Sequence, residues 1–289
     1  MRSFLFVPGD SPKKLDKAMS SGADVLLLDL EDSVAPLRKA EARTITAAFL
    51  KQAKTAKARA RLFVRINALS TGLANDDLRV VLAGAPDGIV LPKAEGGTAV
   101  AECDGLLKLW EARNDLAEGA TDIIAIATET AAALFRAGTY GGSSKRLKGL
   151  TWGAEDLSVE LGAEANRDAQ GNFLSPYLLA RSLCLAGAAA AQVQAIATVY
   201  VDFRNDAGLR RECEEARRDG FTGKMAIHPA QVAAINEAFT PSADAIARAE
   251  AVVAAFTADP AAGTIGIGGV MYDRPHLERA RQLLARAKS

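Results

Sequence analysis

Short apolar runs alternate with longer amphipathic stretches along most of the chain. Each apolar run is continuous, which is typical of strands that are buried on both faces of a parallel sheet. The stretches between them have helical periodicity, as residues 175–191 and 207–220 show most clearly. The predicted strands are residues 3–8, 24–32, 61–67, 88–93, 122–130, 147–156, 194–201 and 223–229.

Eight strand–helix units predict an α/β fold closed into a (β/α)8 TIM barrel. The alternative is an open doubly wound sheet, which usually has a glycine-rich GxGxxG turn after its first strand. Here that turn reads VPGDSPKK. The last part of the chain predicts a helical extension interrupted by a flexible loop at residues 259–269. We therefore predict a barrel domain at 1–229 and a C-terminal helical extension and lid at 230–289.

The composition is that of an ordinary globular protein. The chain has 289 residues, and its 35 Lys and Arg balance its 35 Asp and Glu, so we expect no electrostatic attraction to nucleic acid or to a membrane surface. No apolar run reaches the roughly 18 residues that span a bilayer. Cys103, Cys184 and Cys213 are dispersed, as in proteins of a reducing compartment. We expect a soluble cytoplasmic protein.

Acidic residues follow two neighbouring predicted strands, where a barrel of this kind has its active site. Glu129 follows the fifth strand and Asp156 the sixth, and adjacent strands lie about 5 Å apart. Magnesium is commonly held by one or two carboxylates plus water and substrate oxygens, whereas the two His and three Cys lack the spacing of a zinc site. Alternatively, each acid caps a helix or pairs with a lysine. Together they favour a Mg²⁺ site, with Lys93 balancing the acids.

Arg65 ends the third apolar run. A guanidinium at the mouth of a barrel can hold a carboxylate through two parallel hydrogen bonds, so Arg65 is a candidate for substrate binding. The alternative is a structural ion pair with Glu31 or Asp32, and both roles are compatible.

Lys13 and Lys17 lie one turn apart at the start of the first predicted helix, at residues 11–21. A lysine near a helix N-terminus is unfavourable for the helix dipole. The pair therefore suggests an anionic ligand such as a phosphate or a substrate carboxylate. The alternative is a solvated helix face.

A series of motifs, in this order, resembles the beta subunit of citrate lyase and its stand-alone relatives in the HpcH/HpaI aldolase/citrate lyase group. The resemblance covers nearly the whole chain. The motifs are RSFLFVPGDSPKKLDKA, DVLLLDLEDSVAPLRKAEAR, FVRIN, GIVLPKAE, ATETA, LTWGAEDLS, GKMAIHPAQV and YDRPHLERA.

This resemblance implies a (β/α)8 barrel that forms homo-oligomers, often trimers. It implies that Glu129 and Asp156 bind Mg²⁺ and that Arg65 holds the carboxylate of an oxo-acid. It also implies that Lys13 and Lys17 contact ligand on the coenzyme A side.

Two further positions follow from the resemblance. Phe6 is a candidate for substrate binding and stands where the family often has tyrosine, so it lacks the hydroxyl that would form a hydrogen bond to substrate. Asp273 matches the aspartate of a D-x-P-H motif that is catalytic in acyl-CoA lyases and is delivered into the neighbouring subunit's site. The alternative for Asp273 is a helix cap, since it precedes Arg274 and Pro275. Glycines at 263–269 would let the tail move as a lid.

The activity implied is Mg²⁺-dependent cleavage of a 3-hydroxy-acyl thioester, of the citryl-, malyl- or citramalyl-CoA type, to an oxo-acid and an acyl thioester. Asp273 is the candidate for proton transfer to the thioester enolate. The alternatives are a thioesterase or malate-synthase-like activity at the same site, a class II oxo-acid aldolase, and a ligand-binding paralogue or subunit that needs an acyl-carrier protein and is inert on free CoA esters.

Overall fold

The computed structural model describes residues 1–54 and 60–287. Eight parallel strands form a closed barrel in chain order, because β1 pairs with β8 as well as with β2. This confirms the predicted TIM-barrel fold. The strands are β1 (Ser3–Pro8), β2 (Val25–Asp29), β3 (Arg61–Arg65), β4 (Gly88–Leu91), β5 (Asp122–Ile126), β6 (Leu147–Thr151), β7 (Gln194–Ala197) and β8 (Gly223–Ala226).

Helices connect the strands, and short 3-10 turns lie at 36–38, 69–71, 82–84, 137–139 and 229–231. The helices up to the end of the barrel region are α1 (Pro12–Ala18), α2 (Lys39–Ala53), α3 (Ala74–Val81), α4 (Gly97–Arg113), α5 (Ala131–Leu134), α6 (Ala154–Glu160), α7 (Ser175–Ala191), α8 (Asp206–Asp219) and α9 (Val232–Phe239).

Alternate residues of the strands form one apolar cluster, as the two-residue period of a strand requires. Val25 and Leu27 of β2 belong to it, while the equally buried Leu26 and Leu28 have the opposite orientation. Burial on both faces explains the continuous apolar runs in the sequence. The other members are Phe4, Phe63, Val90, Ile124, Ile126, Ile196 and Met225.

Several observed strands end earlier than the sequence predicted. β2 stops at Asp29 rather than residue 32, and β5 stops at Ile126 rather than residue 130. The residues beyond these ends form the loops that carry the candidate site. Their polar side chains account for the difference, because they make contacts across the mouth of the barrel instead of continuing the sheet.

Residues 237–289 form a second compact unit, and the first comprises residues 1–236. In the second unit, α10 (Ala243–Ala258) and α11 (Arg274–Ala287) pack through buried Ala249, Val252, Phe256, Leu277 and Ala280. Residues 288–289 of the predicted extension lie outside the described part. None of the described helices has the length and apolar character needed to cross a membrane.

A β-hairpin replaces the flexible loop predicted at residues 259–269, so that prediction is wrong. Strand β9 (Thr264–Ile267) pairs in antiparallel fashion with β10 (Val270–Asp273). The two residues between them, Gly268 and Gly269, both have positive φ, 57° and 82°. A Gly-Gly pair with this backbone makes the two-residue turn that matches the twist of the two strands. The strands on either side of these glycines have only four residues each. In a segment rich in glycine, such short strands were not recognised from the sequence.

Candidate active site

The carboxyl ends of the barrel strands surround a cleft of about 430 Å³. It is lined by four of the residues that the sequence singled out, namely Phe6, Arg65, Glu129 and Asp156. Lys13 and Lys17 are exposed on α1 and are not among the residues that line it. The structure therefore brings the proposed carboxylate-binding and metal-binding residues together, and the ligand role of the two lysines stays a prediction.

Arg65 forms a two-pronged ion pair with Asp29, a partner that the sequence analysis missed. Nε and Nη2 of Arg65 donate to the two carboxylate oxygens of Asp29 at 2.7 and 2.8 Å. The two residues are register partners on β2 and β3, so the pairing could have been found by aligning the strand ends. Burial alone would raise the pKa of Asp29, but the guanidinium of Arg65 holds that pKa below its ordinary value.

The structure also contains the ion pairs that were the alternative interpretation of Arg65. Its Nη1 lies 3.1 Å from Glu31 and 3.5 Å from Asp32. Asp32 is more than half exposed, with 57% of its side chain accessible, whereas Glu31 is buried. The Arg65 guanidinium also lies over the Phe6 ring, 4.7 Å from its centroid. A cation held in this way by acids and an aromatic face is fixed in orientation.

Glu129 is buried in the loop that follows β5. One of its carboxylate oxygens accepts the backbone N–H of Lys93 at 2.6 Å. Its side chain lies against Gly153, where an added Cβ would be only 2.7 Å from Cγ of Glu129. Burial, followed by the nearby charge of Asp156, raises the pKa of Glu129 to about 8.

Asp156 lies in the first turn of α6, where the helix dipole favours a negative charge. Its carboxylate is 3.1 Å from the ammonium of Lys93, which is also 2.8 Å from Glu31. Pairing with a lysine was the alternative interpretation of Asp156, and the structure contains that pair. Lys93 therefore balances the acids at the mouth of the barrel, as the sequence suggested.

The donor set fits a hard divalent cation. Among the residues described, no group of three or more His, Cys, Asp and Glu side chains is arranged to hold a metal ion. Glu129 and Asp156 offer two carboxylates whose repulsion contributes to the raised pKa of Glu129. A magnesium ion held by two carboxylates, with water and substrate completing its coordination, relieves that repulsion.

Asp273 is the last residue of β10 in the C-terminal unit and immediately precedes α11. Its carboxylate accepts the backbone N–H of His276 at 3.3 Å and also contacts the imidazole of that residue. The hydrogen bond from His276 lowers the pKa of Asp273. The helix-capping role is thus present, and the catalytic role of Asp273 stays a prediction.

The raised pKa of Glu129 predicts that the metal-free protein loses stability as the pH rises from about 5 to about 8. The folded protein holds a proton on Glu129 up to about pH 8, whereas the unfolded chain releases it near the ordinary value of 4.5. Folding therefore becomes less favourable across this range, by up to about 1.4 kcal/mol per pH unit. Urea unfolding in EDTA should show this slope, and Glu129→Gln should flatten it. An equal slope in both proteins would contradict the prediction.

Comparison with known proteins agrees with this geometry. The HpcH/HpaI aldolase/citrate lyase family matches residues 2–229. Mitochondrial citramalyl-CoA lyase from Rattus norvegicus is 34% identical over 308 aligned residues, covering 100% of this chain and 86% of that protein. A (3S)-malyl-CoA thioesterase from Cereibacter sphaeroides is 33% identical, covering 100% of this chain and 95% of its own length.

A solved structure has the same fold. The crystal structure of protein CitE from Mycobacterium tuberculosis in complex with magnesium, acetoacetate and coenzyme A has a TM-score of 0.79 and 33% sequence identity, and the match covers 100% of this chain and 98% of that one. The barrel and the family match confirm the resemblance carried by the sequence motifs. The chain belongs to the HpcH/HpaI aldolase/citrate lyase family.

Proposed function

We propose that this protein is a Mg²⁺-dependent carbon–carbon lyase that cleaves a 3-hydroxy-acyl-CoA thioester to an oxo-acid and an acyl thioester. The observation that carries the proposal is the cleft that combines Arg65 with the carboxylates of Glu129 and Asp156. A guanidinium for a carboxylate, beside a site for a hard cation, suits an oxo-acid. The citramalyl-CoA lyase relative and the complex of CitE with magnesium and coenzyme A support the same chemistry.

Arg65 has the geometry to hold a substrate carboxylate. Asp29 engages Nε and Nη2 and fixes the plane of the guanidinium. The exposed Asp32 is 3.5 Å from Nη1, a distance too long for a strong ion-paired hydrogen bond. A substrate carboxylate can therefore take the place of Asp32 without breaking the pair with Asp29.

Glu129 and Asp156 would hold the Mg²⁺ ion. When bound, the ion supplies Lewis-acid stabilisation to the negative charge that develops on the oxygen of the new ketone. Burial of Glu129 limits the water around that carboxylate, and an electrostatic interaction is stronger where water is excluded.

Asp273 is our candidate for proton transfer at the α-carbon of the thioester. The contact with His276 favours its ionised form, which is the form that removes a proton in the condensation direction. In the direction of cleavage the substrate hydroxyl loses its proton, and the protonated form of Asp273 gives a proton to the α-carbon of the enolate. The support for this role is the D-x-P-H motif at Asp273, together with an accessible carboxylate in the structure.

Hydrolysis of the thioester is the second candidate function. It is favoured by the similarity to a (3S)-malyl-CoA thioesterase, which covers the whole chain. Both activities use the same ester class, so the products distinguish them. A lyase releases an oxo-acid and a new acyl-CoA, whereas a thioesterase releases free CoA and a hydroxy acid with two or three carboxyl groups.

The test is turnover of citryl-CoA, malyl-CoA and citramalyl-CoA with Mg²⁺ or with EDTA, with products identified by mass spectrometry. We expect one ester to be cleaved to an oxo-acid only with Mg²⁺. Asp273→Asn should lower kcat by about 10²-fold or more, the usual size of a general acid–base contribution. Release of free CoA and the intact hydroxy acid would replace the lyase with the thioesterase. No turnover of any ester would remove the proposed substrate class.

We also propose that the protein is cytoplasmic and that it forms a homo-oligomer. The resemblance favours a trimer. The three cysteines are buried and free, in keeping with a reducing compartment. Large apolar side chains such as Phe135 and Val159 are 90% and 83% exposed, a feature of subunit interfaces. Light scattering would measure the oligomer, and a monomer at all concentrations would contradict it.

A further inference from the structure

Lys93 contacts both of the proposed metal ligands. Its backbone N–H donates to Glu129 at 2.6 Å, and its ammonium lies 3.1 Å from Asp156. The same ammonium donates to Oε1 of Glu31 at 2.8 Å. One residue therefore connects the two carboxylates of the metal site with the acid that approaches Arg65.

The backbone of Lys93 has a left-handed conformation, with φ of 49°. This conformation costs a residue with a side chain about 1–2 kcal/mol, and glycine avoids that cost. Such strain persists where surrounding contacts determine the geometry. The contacts of Lys93 with Glu129, Asp156 and Glu31 supply that restraint.

Glu31 is held rigidly beside the ammonium. Its backbone carbonyl accepts a hydrogen bond from Nζ of Lys39 at 2.6 Å, and its side chain is buried. Glu31 therefore provides a fixed site for the Lys93 ammonium whether or not Asp156 is engaged.

The contact with Asp156 is the one that a metal ion would replace. A carboxylate oxygen that binds a divalent cation directly does so at about 2.0–2.1 Å for Mg²⁺, and an ammonium close to the same oxygen repels that cation. Asp156 is about one-third exposed, whereas Glu31 is buried. The contact of the Lys93 ammonium with Asp156 is therefore weaker and more accessible than its contact with Glu31.

We propose that Lys93 is a built-in counter-cation, which neutralises Asp156 in the metal-free protein and gives it up when Mg²⁺ binds, while its ammonium stays on Glu31. This inference rests on the proposed metal site of Glu129 and Asp156. Lys93 thereby keeps the acidic cleft stable without metal, and it weakens metal binding by competing for Asp156.

The test is calorimetric titration of the metal-free protein with Mg²⁺ alone, repeated with Mn²⁺. Lys93→Met should bind the ion about 10-fold more tightly, since it removes a positive charge a few ångströms from the site. The same variant should have a lower Tm in EDTA, because Asp156 and Glu31 lose their counter-charge. Lys108→Met, which removes an exposed lysine of α4, should change neither quantity.

Two further variants separate the ammonium from the backbone. Lys93→Gly removes the ammonium together with the left-handed strain, so it should tighten metal binding as much as Lys93→Met does. In an Asp156→Asn background, Lys93→Met should no longer tighten binding in this way, because the carboxylate for which the ammonium and the ion compete is gone. If Lys93→Gly binds metal like the wild type while Lys93→Met binds it more tightly, removal of the ammonium is not enough to tighten binding. That result would overturn the inference.

The remaining outcomes also decide the question. Unchanged or weaker binding in Lys93→Met, with clear binding in the wild type, overturns the role of Lys93 and leaves the proposed function standing. A wild-type protein that binds neither Mg²⁺ nor Mn²⁺ overturns both this inference and the metal site of the proposed function.

Discussion

Asp156→Asn is expected to lower kcat/KM for the cleaved thioester by about 10³-fold, which corresponds to about 4 kcal/mol of transition-state stabilisation. The substitution keeps the shape of the side chain and removes one of the two charges proposed to hold Mg²⁺. The remaining ligand, Glu129, is buried, and in the variant burial still raises its pKa. Steady-state kinetics over a range of Mg²⁺ concentrations measures the loss, and excess metal should restore only part of the activity.

The neighbouring acid provides a matched control. Glu155 also lies in the first turn of α6, but it is exposed and accepts a hydrogen bond from Asn166 at 2.8 Å. Glu155→Gln removes the same charge one residue away and should change kcat/KM by less than about 3-fold, an effect of less than 1 kcal/mol. If Asp156→Asn and Glu155→Gln behaved alike, the metal role of Asp156 would be wrong.

Gly153→Ala examines the same site without removing a charge. Gly153 has φ of −127°, a conformation open to any residue, so the substitution adds no backbone strain. Its new Cβ would lie 2.7 Å from Cγ of Glu129 and must displace that side chain. We expect weaker metal binding than in the wild type, with both carboxylates still present.

The sequence predicted the barrel because continuous apolar runs report burial on both faces of a strand. The sequence also predicted that charged residues at the strand ends lie close together, since the carboxyl ends of parallel strands lie at the same end of a barrel. The pairing of Asp29 with Arg65 was missed because it becomes apparent only in the register of β2 against β3. The bridging contacts of Lys93 depend on a left-handed backbone, which residue types other than glycine do not signal.

The hairpin in the C-terminal unit was not predicted from the sequence, for a different reason. Gly268 and Gly269 look like flexible linker residues by composition, yet they form a tight turn between two paired strands. Ile265 and Ile267 pack against the apolar cluster of α10 and α11. That packing, which composition does not express, orders the segment.

Arg65→Met is expected to lower the free energy of unfolding by about 3–5 kcal/mol, because it leaves the buried charge of Asp29 without its partner. The Asp29 side chain is only 2% exposed, so water cannot replace the lost guanidinium. Urea unfolding at pH 7 measures the change as a lower midpoint with an unchanged m-value. Arg79→Met is the control, since Arg79 forms an exposed pair with Asp76 and such pairs contribute about 0–1 kcal/mol.

Arg65→Lys separates the stabilising role from the proposed carboxylate-binding role. Lysine keeps the positive charge beside Asp29 but lacks the fork that forms two parallel hydrogen bonds. We therefore expect a smaller loss of stability than in Arg65→Met, together with a rise in KM of about 10-fold or more, since an oriented ion-paired contact contributes about 1.5–3 kcal/mol. A lysine variant with normal KM but reduced stability would make Arg65 a structural residue alone, and the substrate carboxylate would then need another partner in the cleft.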